Sequence, residues 1–420
     1  MAGKRNLKPN GGWPNYRSPH RRRADAEAHA EAAAPPPVVE HDLVPDGPLT
    51  TVDTQNGLLA LLDELRAAGR FGYDTEFIGE ETFYSRFCVV QVSTPEKITL
   101  IDALADGIDL LPFWELLADP AVEKIVHAGL QDLEPVERLT GKPPANVFDT
   151  QIAAAFVGQP YPVSLTKLCA ALADADLGKS SKFSQWDRRP LTENQKQYAA
   201  NDVRYLHLVR KRIGRRLDEL GHADKVWAEC EQFSDASVYR VDPLEMKIKA
   251  KGGGTLNRKE QAVVNALLLW RAQEAEQRDL PMRTLLEDPV MVDLAKQPPT
   301  DAADVRSRKG VPWPVKEAYA QTLVDVTRAA LAGELPKRKR GYKPLSDAAT
   351  ARLEAIWTEA IAHCEGLSIA PSMVFTKREF TALVRAESKG KTPPALRVSS
   401  GWRREVLRPV LGELLGDLAI

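Results

Sequence analysis

The sequence has 420 residues, of which 43% are hydrophobic and 27% charged, and its formal net charge at pH 7 is −1. These values are typical of a soluble globular protein of roughly two to four domains. They exclude a uniformly basic nucleic-acid coat but not local basic patches. The four cysteines form no Cys-x-x-Cys pair, and no apolar run approaches the about eighteen residues of a transmembrane helix. We therefore expect a cytoplasmic protein with reduced cysteines.

Residues 1–44 are expected to be a disordered tail. Residues 1–23 are basic and lack acidic side chains, and an Ala-rich segment that ends in prolines follows. A secretory signal would need an apolar stretch after the arginines, and the sequence has none there. A tolerant tail is the simpler interpretation, and an arm that attracts RNA is the alternative.

An α/β domain with a mixed sheet is predicted for residues 45–242. Helical spacing over Leu58–Arg70 precedes three short strands in "RFGYDTEF", "RFCVVQVS" and "KITLID". The tight turns between these strands predict an antiparallel meander. Helices and strands then alternate, with one helix predicted over Gln131–Leu139 and one long helix from about Thr192 to Leu220.

All-helical patterns predict two further domains, at residues 256–333 and 347–420. The glycine-rich "KGGGTLN" falls in a predicted linker at residues 243–255, and the basic "ELPKRKRGYKPLS" forms a second linker at residues 334–346. The basic linker suits a solvated connector and RNA contact equally well, and a nuclear signal is a further interpretation. The helical segments look like a diverged repeat, because "LPMRTLLEDPVMVDLA" is similar to "LSIAPSMVFTKREFTALV".

Acidic side chains from three separate segments are candidates for one site. Asp74 and Glu76 lie two apart on a predicted strand and therefore share a face. Asp132 lies in the first turn of a predicted helix, where a carboxylate also favours the helix dipole. Tyr198 and Asp202 lie four apart on a helix face that is otherwise apolar. Each segment alone has a simple structural explanation, but the ordered set is specific.

Four carboxylates that converge would repel one another unless cations neutralise them. Ligand sets made only of oxygen suit Mg²⁺ or Mn²⁺. Two such ions about 4 Å apart can hold the attacking and the leaving oxygens of a phosphoryl displacement. We therefore expect two divalent metal ions at these acids. Nearby, His127 is expected to be structural, and Asp149 is expected to cap the helix that follows it.

The same residues carry a resemblance that covers nearly the whole folded chain. The motifs are "YDTEF", "HAGLQDLE", "FDTQIAAAFVG", "SLTKLC" and "DRRPLTENQKQYAANDVRYL". In this order they resemble the DEDD superfamily of 3′-to-5′ exonucleases, tyrosine subclass, and within it the ribonuclease D family. "LLLWRAQEAEQRDLPMRTLLED" resembles the HRDC domain that this family shares with RecQ-type helicases. The resemblance implies a ribonuclease-H-like α/β fold and two HRDC domains, the second of which departs more from the pattern.

Catalytic roles implied by the resemblance fall on five residues: Asp74, Glu76, Asp132, Tyr198 and Asp202. Asp74 would bridge both metal ions, Glu76 and Asp202 would complete the ion that holds the attacking water, and Asp132 would act on the second ion. Tyr198 would orient the water and help to remove its proton; positioning is the stronger role, since a free phenol has a pKa of about 10. The product would be a nucleoside 5′-monophosphate from the 3′ end.

Substrate contacts are predicted around this site. Candidates on the catalytic strand and at the start of the middle helix are Thr75, Phe77 and Gln131. A basic loop with an aromatic residue adds Lys179, Lys182, Trp186, Arg188 and Arg189. Such a loop suits phosphates and base stacking, while a solvated connector with its tryptophan packed inward is an equal alternative.

The family implies trimming of tRNA precursors and other small stable RNAs, and we expect a monomer. A 3′-to-5′ DNA exonuclease is the first alternative, because the metal ions act on phosphates common to both polymers. A catalytically dead RNA-binding scaffold is the second, and the intact set of acids argues against it.

Overall fold

The computed structural model describes residues 37–178, 185–240, 242–246, 248–337 and 344–415. Most of the predicted tail, Lys179 and Lys182, and residues 338–343 of the basic linker lie outside the described residues. No helix among the described residues is long and apolar enough to cross a membrane.

A six-stranded mixed sheet with strand order β1-β4-β3-β2-β5-β6 forms the centre of the first domain. The strands are β1 (Thr50–Val52), β2 (Arg70–Ile78), β3 (Arg86–Ser93), β4 (Ile98–Asp102), β5 (Glu123–Val126) and β6 (Val147–Asp149). Strands β2, β3 and β4 form the predicted antiparallel meander, and the other neighbouring pairs are parallel. The predicted fold class, an α/β domain followed by all-helical domains, is confirmed.

Helices of the first domain pack around this sheet. They are α1 (Gln55–Ala68), α2 (Leu111–Leu117), α3 (Glu134–Thr140), α4 (Thr150–Ala154), α5 (Leu165–Ala173), α6 (Glu193–Arg204), α7 (Leu206–Leu220) and α8 (Ala223–Cys230). Helix α6 begins with a capping box, in which Thr192 and Gln195 satisfy each other's backbone N–H groups.

The single long helix predicted from Thr192 to Leu220 is wrong. Helix α6 ends at Arg204 and α7 begins at Leu206, with Tyr205 between them. At the break, the hydroxyl of Ser93 on β3 donates to the carbonyl oxygen of Val203 over 2.8 Å. A carbonyl at a helix end has no intrahelical partner, so this bond from the sheet satisfies it.

The start predicted for the middle helix is also wrong. Helix α3 begins only at Glu134 and has Pro135 in its first turn. A proline ring clashes with the carbonyl four residues before it, so a helix that already included Gln131 would be disrupted. Asp132 therefore lies in the turn before α3 and not in the first helical turn.

Two helical units follow the first domain, in similar succession. The first contains α9 (Arg258–Arg278), α10 (Met282–Leu285), α11 (Asp288–Lys296), α12 (Ala302–Ser307) and α13 (Trp313–Ala332). The second contains α14 (Asp347–Gly366), α15 (Pro371–Val374), α16 (Lys377–Glu387) and α17 (Gly401–Leu411), with a 3₁₀ turn in the place of α12. This shared order supports the predicted repeat.

The second helical unit shares its hydrophobic core with the first domain. Trp402 of α17 packs against Phe156 with ring centres 5.1 Å apart, and its indole N–H donates to Glu229 of α8 over 2.8 Å. Arg403 donates to the same carboxylate over 2.7 Å. Removal of this unit would expose apolar residues of the first domain.

The first helical unit has a core of its own and meets the first domain at the hairpin between β2 and β3. Phe83 at this hairpin packs against the core of the unit. The backbone N–H of Phe83 donates to Asp279 Oδ1 over 3.1 Å, and the hydroxyl of Tyr84 donates to Glu276. Arg138 stacks over the Tyr84 ring at 4.2 Å from its centre. The hairpin thus links the strand that holds Asp74 to the helical unit.

We expect the double variant Phe83→Ala/Tyr84→Phe to loosen the first helical unit from the first domain. It removes an apolar contact and one hydrogen bond, which together contribute about 1–3 kcal/mol. Limited proteolysis in the linker at residues 243–255 should become at least several-fold faster. Leu59→Ala, at an exposed position on α1, is the matched control. Equal cleavage rates for both variants and the unchanged protein would contradict the assignment of this joint.

Candidate active site

Three acidic side chains meet where α6 lies against β2. Asp74 and Glu76 are two apart on β2 and share one face of the strand, and Asp202 comes from α6. Carboxylate oxygens of the three residues lie within 4.8 Å of one another. The structure thus brings together three of the four acids that the sequence analysis singled out.

Close packing at Gly72 explains why the helix can reach this strand. A Cβ at position 72 would collide with Ser93 Oγ and lie 3.2 Å from Leu206 Cδ1, at the start of α7. Ser93 cannot simply turn away, because its hydroxyl is bonded to the end of α6. Gly72 precedes Asp74 by two residues and lies on the same face, so the missing side chain allows the helices to approach beside the acids.

The fourth acid, Asp132, lies beside the cluster. Its carboxylate accepts a hydrogen bond from the Thr75 hydroxyl, and its backbone carbonyl accepts one from the Tyr73 hydroxyl at 2.5 Å. Both donors are on β2, on the face opposite to Asp74. Asp132 is therefore held against β2 by two hydrogen bonds, although it is not among the three acids whose carboxylate oxygens lie within 4.8 Å of one another.

Asp149 holds the turn that leads to Asp132. It caps α4 as predicted, since its carboxylate accepts from the N–H of Gln151 at 2.7 Å. The same carboxylate also accepts from the N–H groups of Ala128 and Gly129, at 3.1 and 3.2 Å. His127 bonds to the Thr150 hydroxyl and the Val163 carbonyl, which fits the structural role expected for it.

Burial and repulsion by neighbouring acids raise the pKa values of Asp74 and Glu76. For Asp74, burial is the largest cause, followed by the charges of Asp132, Asp202 and Glu76. The pKa of Glu76 is raised by burial and then by Asp202 and Asp132. Burial also raises the pKa of Asp132 to about 6, against the opposing hydrogen bond from Thr75. Added positive charge would stabilise such buried acids, so the cluster fits divalent metal binding.

Tyr198 lies one turn before Asp202 on α6 and is half-buried. Its ring packs against Trp186, with ring centres 6.0 Å apart. Trp186 is only 3% exposed, which matches the inward-packed alternative for the basic loop. The contact restrains the orientation of the Tyr198 ring.

In the described part of the basic loop, Arg189 binds to groups of the protein itself. Arg189 donates through Nε and Nη2 to the two carboxylate oxygens of Asp102, at 2.6 and 2.5 Å, and also to the carbonyl of Cys88 at 2.8 Å.

The other residues predicted to contact substrate differ in exposure. Arg188 and Gln131 are exposed, and Phe77 is half-buried against Phe87, with 5.7 Å between the ring centres. The substrate contacts proposed for these residues, for Thr75 and for Trp186 remain predictions.

Gln91 is a site residue that the sequence analysis missed. It lies opposite Asp74 on β3, is fully buried, and donates from Nε2 to Asp74 Oδ2 over 3.0 Å. The available signal was a single glutamine within the apolar strand "RFCVVQVS". Strand pairing across seventeen residues, which the sequence pattern does not specify, places it beside the acid.

A mixed sheet with clustered acids and a helix that supplies both a tyrosine and an acid defines the class of 3′-to-5′ exonuclease domains. A family model for the 3′-5′ exonuclease matches residues 49–218, and one for the HRDC domain matches residues 260–327. Ribonuclease D of Gluconacetobacter diazotrophicus is 34% identical over 367 residues, which cover 86% of this chain and 91% of the relative. The chain belongs to the ribonuclease D family of 3′-to-5′ exoribonucleases.

Two further similarities extend over most of the chain. Ribonuclease D of Acidiphilium cryptum is 33% identical over 362 residues, which cover 84% of this chain and 90% of the relative. The crystal structure of RNase D from Escherichia coli matches with a TM-score of 0.73 at 26% identity and covers 89% of this chain and 100% of its own. The similarity therefore includes the helical units as well as the exonuclease domain.

We expect Mn²⁺ to bind more tightly as the pH rises from about 5 to about 8. The pKa values of Asp74 and Glu76 are raised, and that of Asp132 is raised to about 6, so proton occupancy of the site increases as the pH falls and a metal ion must displace those protons. Calorimetric titration in buffers of different ionisation enthalpy should show proton release that decreases as the pH rises. Asp202→Asn, which removes one ligand, should weaken binding by at least about tenfold. Affinity that is independent of pH would contradict this account.

Gly72→Ala should push α6 and α7 away from β2, because the new methyl group has no space beside Ser93 and Leu206. Overpacking of this kind costs about 1–3 kcal/mol of the free energy of unfolding. Both thermal stability and Mn²⁺ affinity should fall, since Asp202 moves with the helix. Gly47→Ala is a control for glycine replacement itself, because a methyl group there meets no atom within 4 Å and the backbone of Gly47 is not in the left-handed region. Unchanged Mn²⁺ binding in Gly72→Ala would show that the close contact does not set the site.

Proposed function

We propose that this protein is a cytoplasmic, monomeric enzyme that trims the 3′ ends of structured RNA such as tRNA precursors, with two Mg²⁺ or Mn²⁺ ions. The observation that carries the proposal is the cluster of Asp74, Glu76 and Asp202 on a chain of the ribonuclease D family. The structurally similar Escherichia coli protein is described as an exoribonuclease involved in structured RNA processing.

The four acids would hold the metal ions. Asp74 is repelled by Asp132, Asp202 and Glu76, which suits a carboxylate shared by two cations. Glu76 and Asp202 would complete one ion, and Asp132 would contribute to the other through its water shell. When bound, the ions would lower the pKa of the attacking water and stabilise the charge that develops on the scissile phosphate.

Tyr198 would orient the attacking water next to Asp202. Its place one helical turn from Asp202, and its contact with the buried ring of Trp186, support a fixed position for the hydroxyl. A rigid donor beside the reacting phosphate favours in-line attack because it reduces the freedom of the water before reaction. The released product would be a nucleoside 5′-monophosphate.

The helical units would hold the body of the RNA while the exonuclease domain shortens its tail. Both are fixed to the exonuclease domain, the second through a shared core and the first through Phe83 and Tyr84. Deletion of residues 252–420 would test this division poorly, because it would expose part of that shared core. The Phe83→Ala/Tyr84→Phe variant keeps the whole chain and is the better probe. It should slow the trimming of tailed tRNA more than that of a short single strand.

A gel time course on tRNA with an end label and a 3′ tail tests the activity, beside a DNA oligonucleotide of the tail sequence. With Mg²⁺ or Mn²⁺, the RNA should shorten as a ladder from its 3′ end, and EDTA should stop the reaction. Asp202→Asn should slow cleavage by a factor on the order of 10²–10⁴, since it removes a metal ligand. Asp218→Asn, at an exposed position on α7, is the matched control.

Each alternative function has its own outcome in this assay. Faster degradation of the DNA oligonucleotide than of the RNA tail would favour a 3′-to-5′ DNA exonuclease. Binding of tRNA without cleavage of either polymer would favour the RNA-binding scaffold. Cleavage that Asp202→Asn leaves unchanged would place the active site elsewhere.

A further inference from the structure

We propose that Gln91 is a positioning residue that fixes the Asp74 carboxylate for metal binding, an inference that rests on the proposed metal-dependent function. Gln91 lies directly opposite Asp74 in the antiparallel pair of β2 and β3. Its side-chain amide donates from Nε2 to Asp74 Oδ2 over 3.0 Å. This bond restrains one carboxylate oxygen of Asp74, so the orientation of the whole carboxylate is fixed beside the other acids.

Stability alone does not explain a glutamine at this position. Neighbouring residues of β3, among them Val89, Val90 and Val92, are apolar and buried, and Gln91 itself is fully buried. A buried amide costs free energy unless its polar atoms are bonded. Gln91 Oε1 has no hydrogen-bond partner among the described residues. An apolar side chain would avoid that cost, so the feature that distinguishes Gln91 is its bond to Asp74.

A neutral donor suits this position better than a cationic one. The charges of Asp132, Asp202 and Glu76 all act on Asp74. A lysine or arginine at position 91 would relieve the repulsion, but its charge would also compete with the metal ions. The amide of Gln91 restrains one carboxylate oxygen and leaves the negative charge of the cluster available. Thr75 supplies the corresponding neutral bond to Asp132.

Direct measurement of Mn²⁺ binding to the full-length protein tests this inference. In Gln91→Met, which keeps an unbranched side chain of similar length but has no donor, the dissociation constant for Mn²⁺ should rise about 10- to 100-fold, as for other residues that orient metal ligands. The Mn²⁺ concentration for half-maximal cleavage should rise in parallel, with a smaller change in the maximal rate. Gln91→Leu repeats the loss of the donor with a different shape, should Gln91→Met fold poorly.

Val92→Ala is the matched control for a purely structural effect. Val92 is the next residue on β3 and lies on the opposite face, so its truncation weakens packing without touching Asp74. Val92→Ala should lower the melting temperature in EDTA and leave the dissociation constant for Mn²⁺ within about twofold. If Gln91→Met lowers the melting temperature but binds Mn²⁺ like the unchanged protein, the positioning role is wrong.

Metal-binding measurements distinguish an error in the proposed metal-dependent function from an error in the role of Gln91. Absence of Mn²⁺ and Mg²⁺ binding in the unchanged protein would overturn the proposed metal-dependent reaction and, with it, the role of Gln91. Normal binding in both Gln91→Met and Gln91→Leu would overturn only the role of Gln91.

Discussion

The candidate active site depends on the close contact between helix α6 and strand β2. Burial and the charge of Asp202 oppose the ionised forms of Asp74 and Glu76, so the charges alone would drive the strand and the helix apart. Apolar packing and the bond from Ser93 to the end of α6 hold the two elements together. Gly72 allows the approach, because any side chain there would separate the helices from the sheet. The fold thus supplies the free energy that keeps the acids close to one another, as a divalent metal site would require.

Neutral hydrogen bonds orient the acids within this arrangement. Thr75 donates to Asp132, and Gln91 donates to Asp74. The turn before α3 is held in turn by the carboxylate of Asp149, which accepts two backbone N–H groups. Because none of these donors carries a charge, the cluster keeps its negative potential. Carboxylates that are fixed in orientation and not neutralised by cationic side chains are suitable ligands for divalent cations.

The two helical units are attached to the exonuclease domain in different ways. The second unit completes the core around Phe156 through Trp402, so it contributes to the stability of the exonuclease domain itself. The first unit keeps a separate core and meets the domain at the tip of the β2–β3 hairpin. That hairpin continues the strand of Asp74 and Glu76, so the position of the first unit is set close to the site. A substrate that contacts both would be aligned by the same strand.

The sequence by itself determined the features that depend on neighbours along the chain. The spacing of Asp74 and Glu76, the capping role of Asp149 and the order of the motifs all follow from local periodicity and residue type. Only the tertiary structure decided the break between α6 and α7 at Tyr205, the bond from Gln91 to Asp74 and the inward packing of Trp186. Each depends on contacts between segments far apart in the chain, such as Ser93 with Val203, and periodicity contains no information about these. The start of α3 at Glu134 depends on both the sequence and the tertiary structure. Pro135 indicates the start locally, but the hydrogen bonds that hold Asp132 in the turn before α3 come from β2.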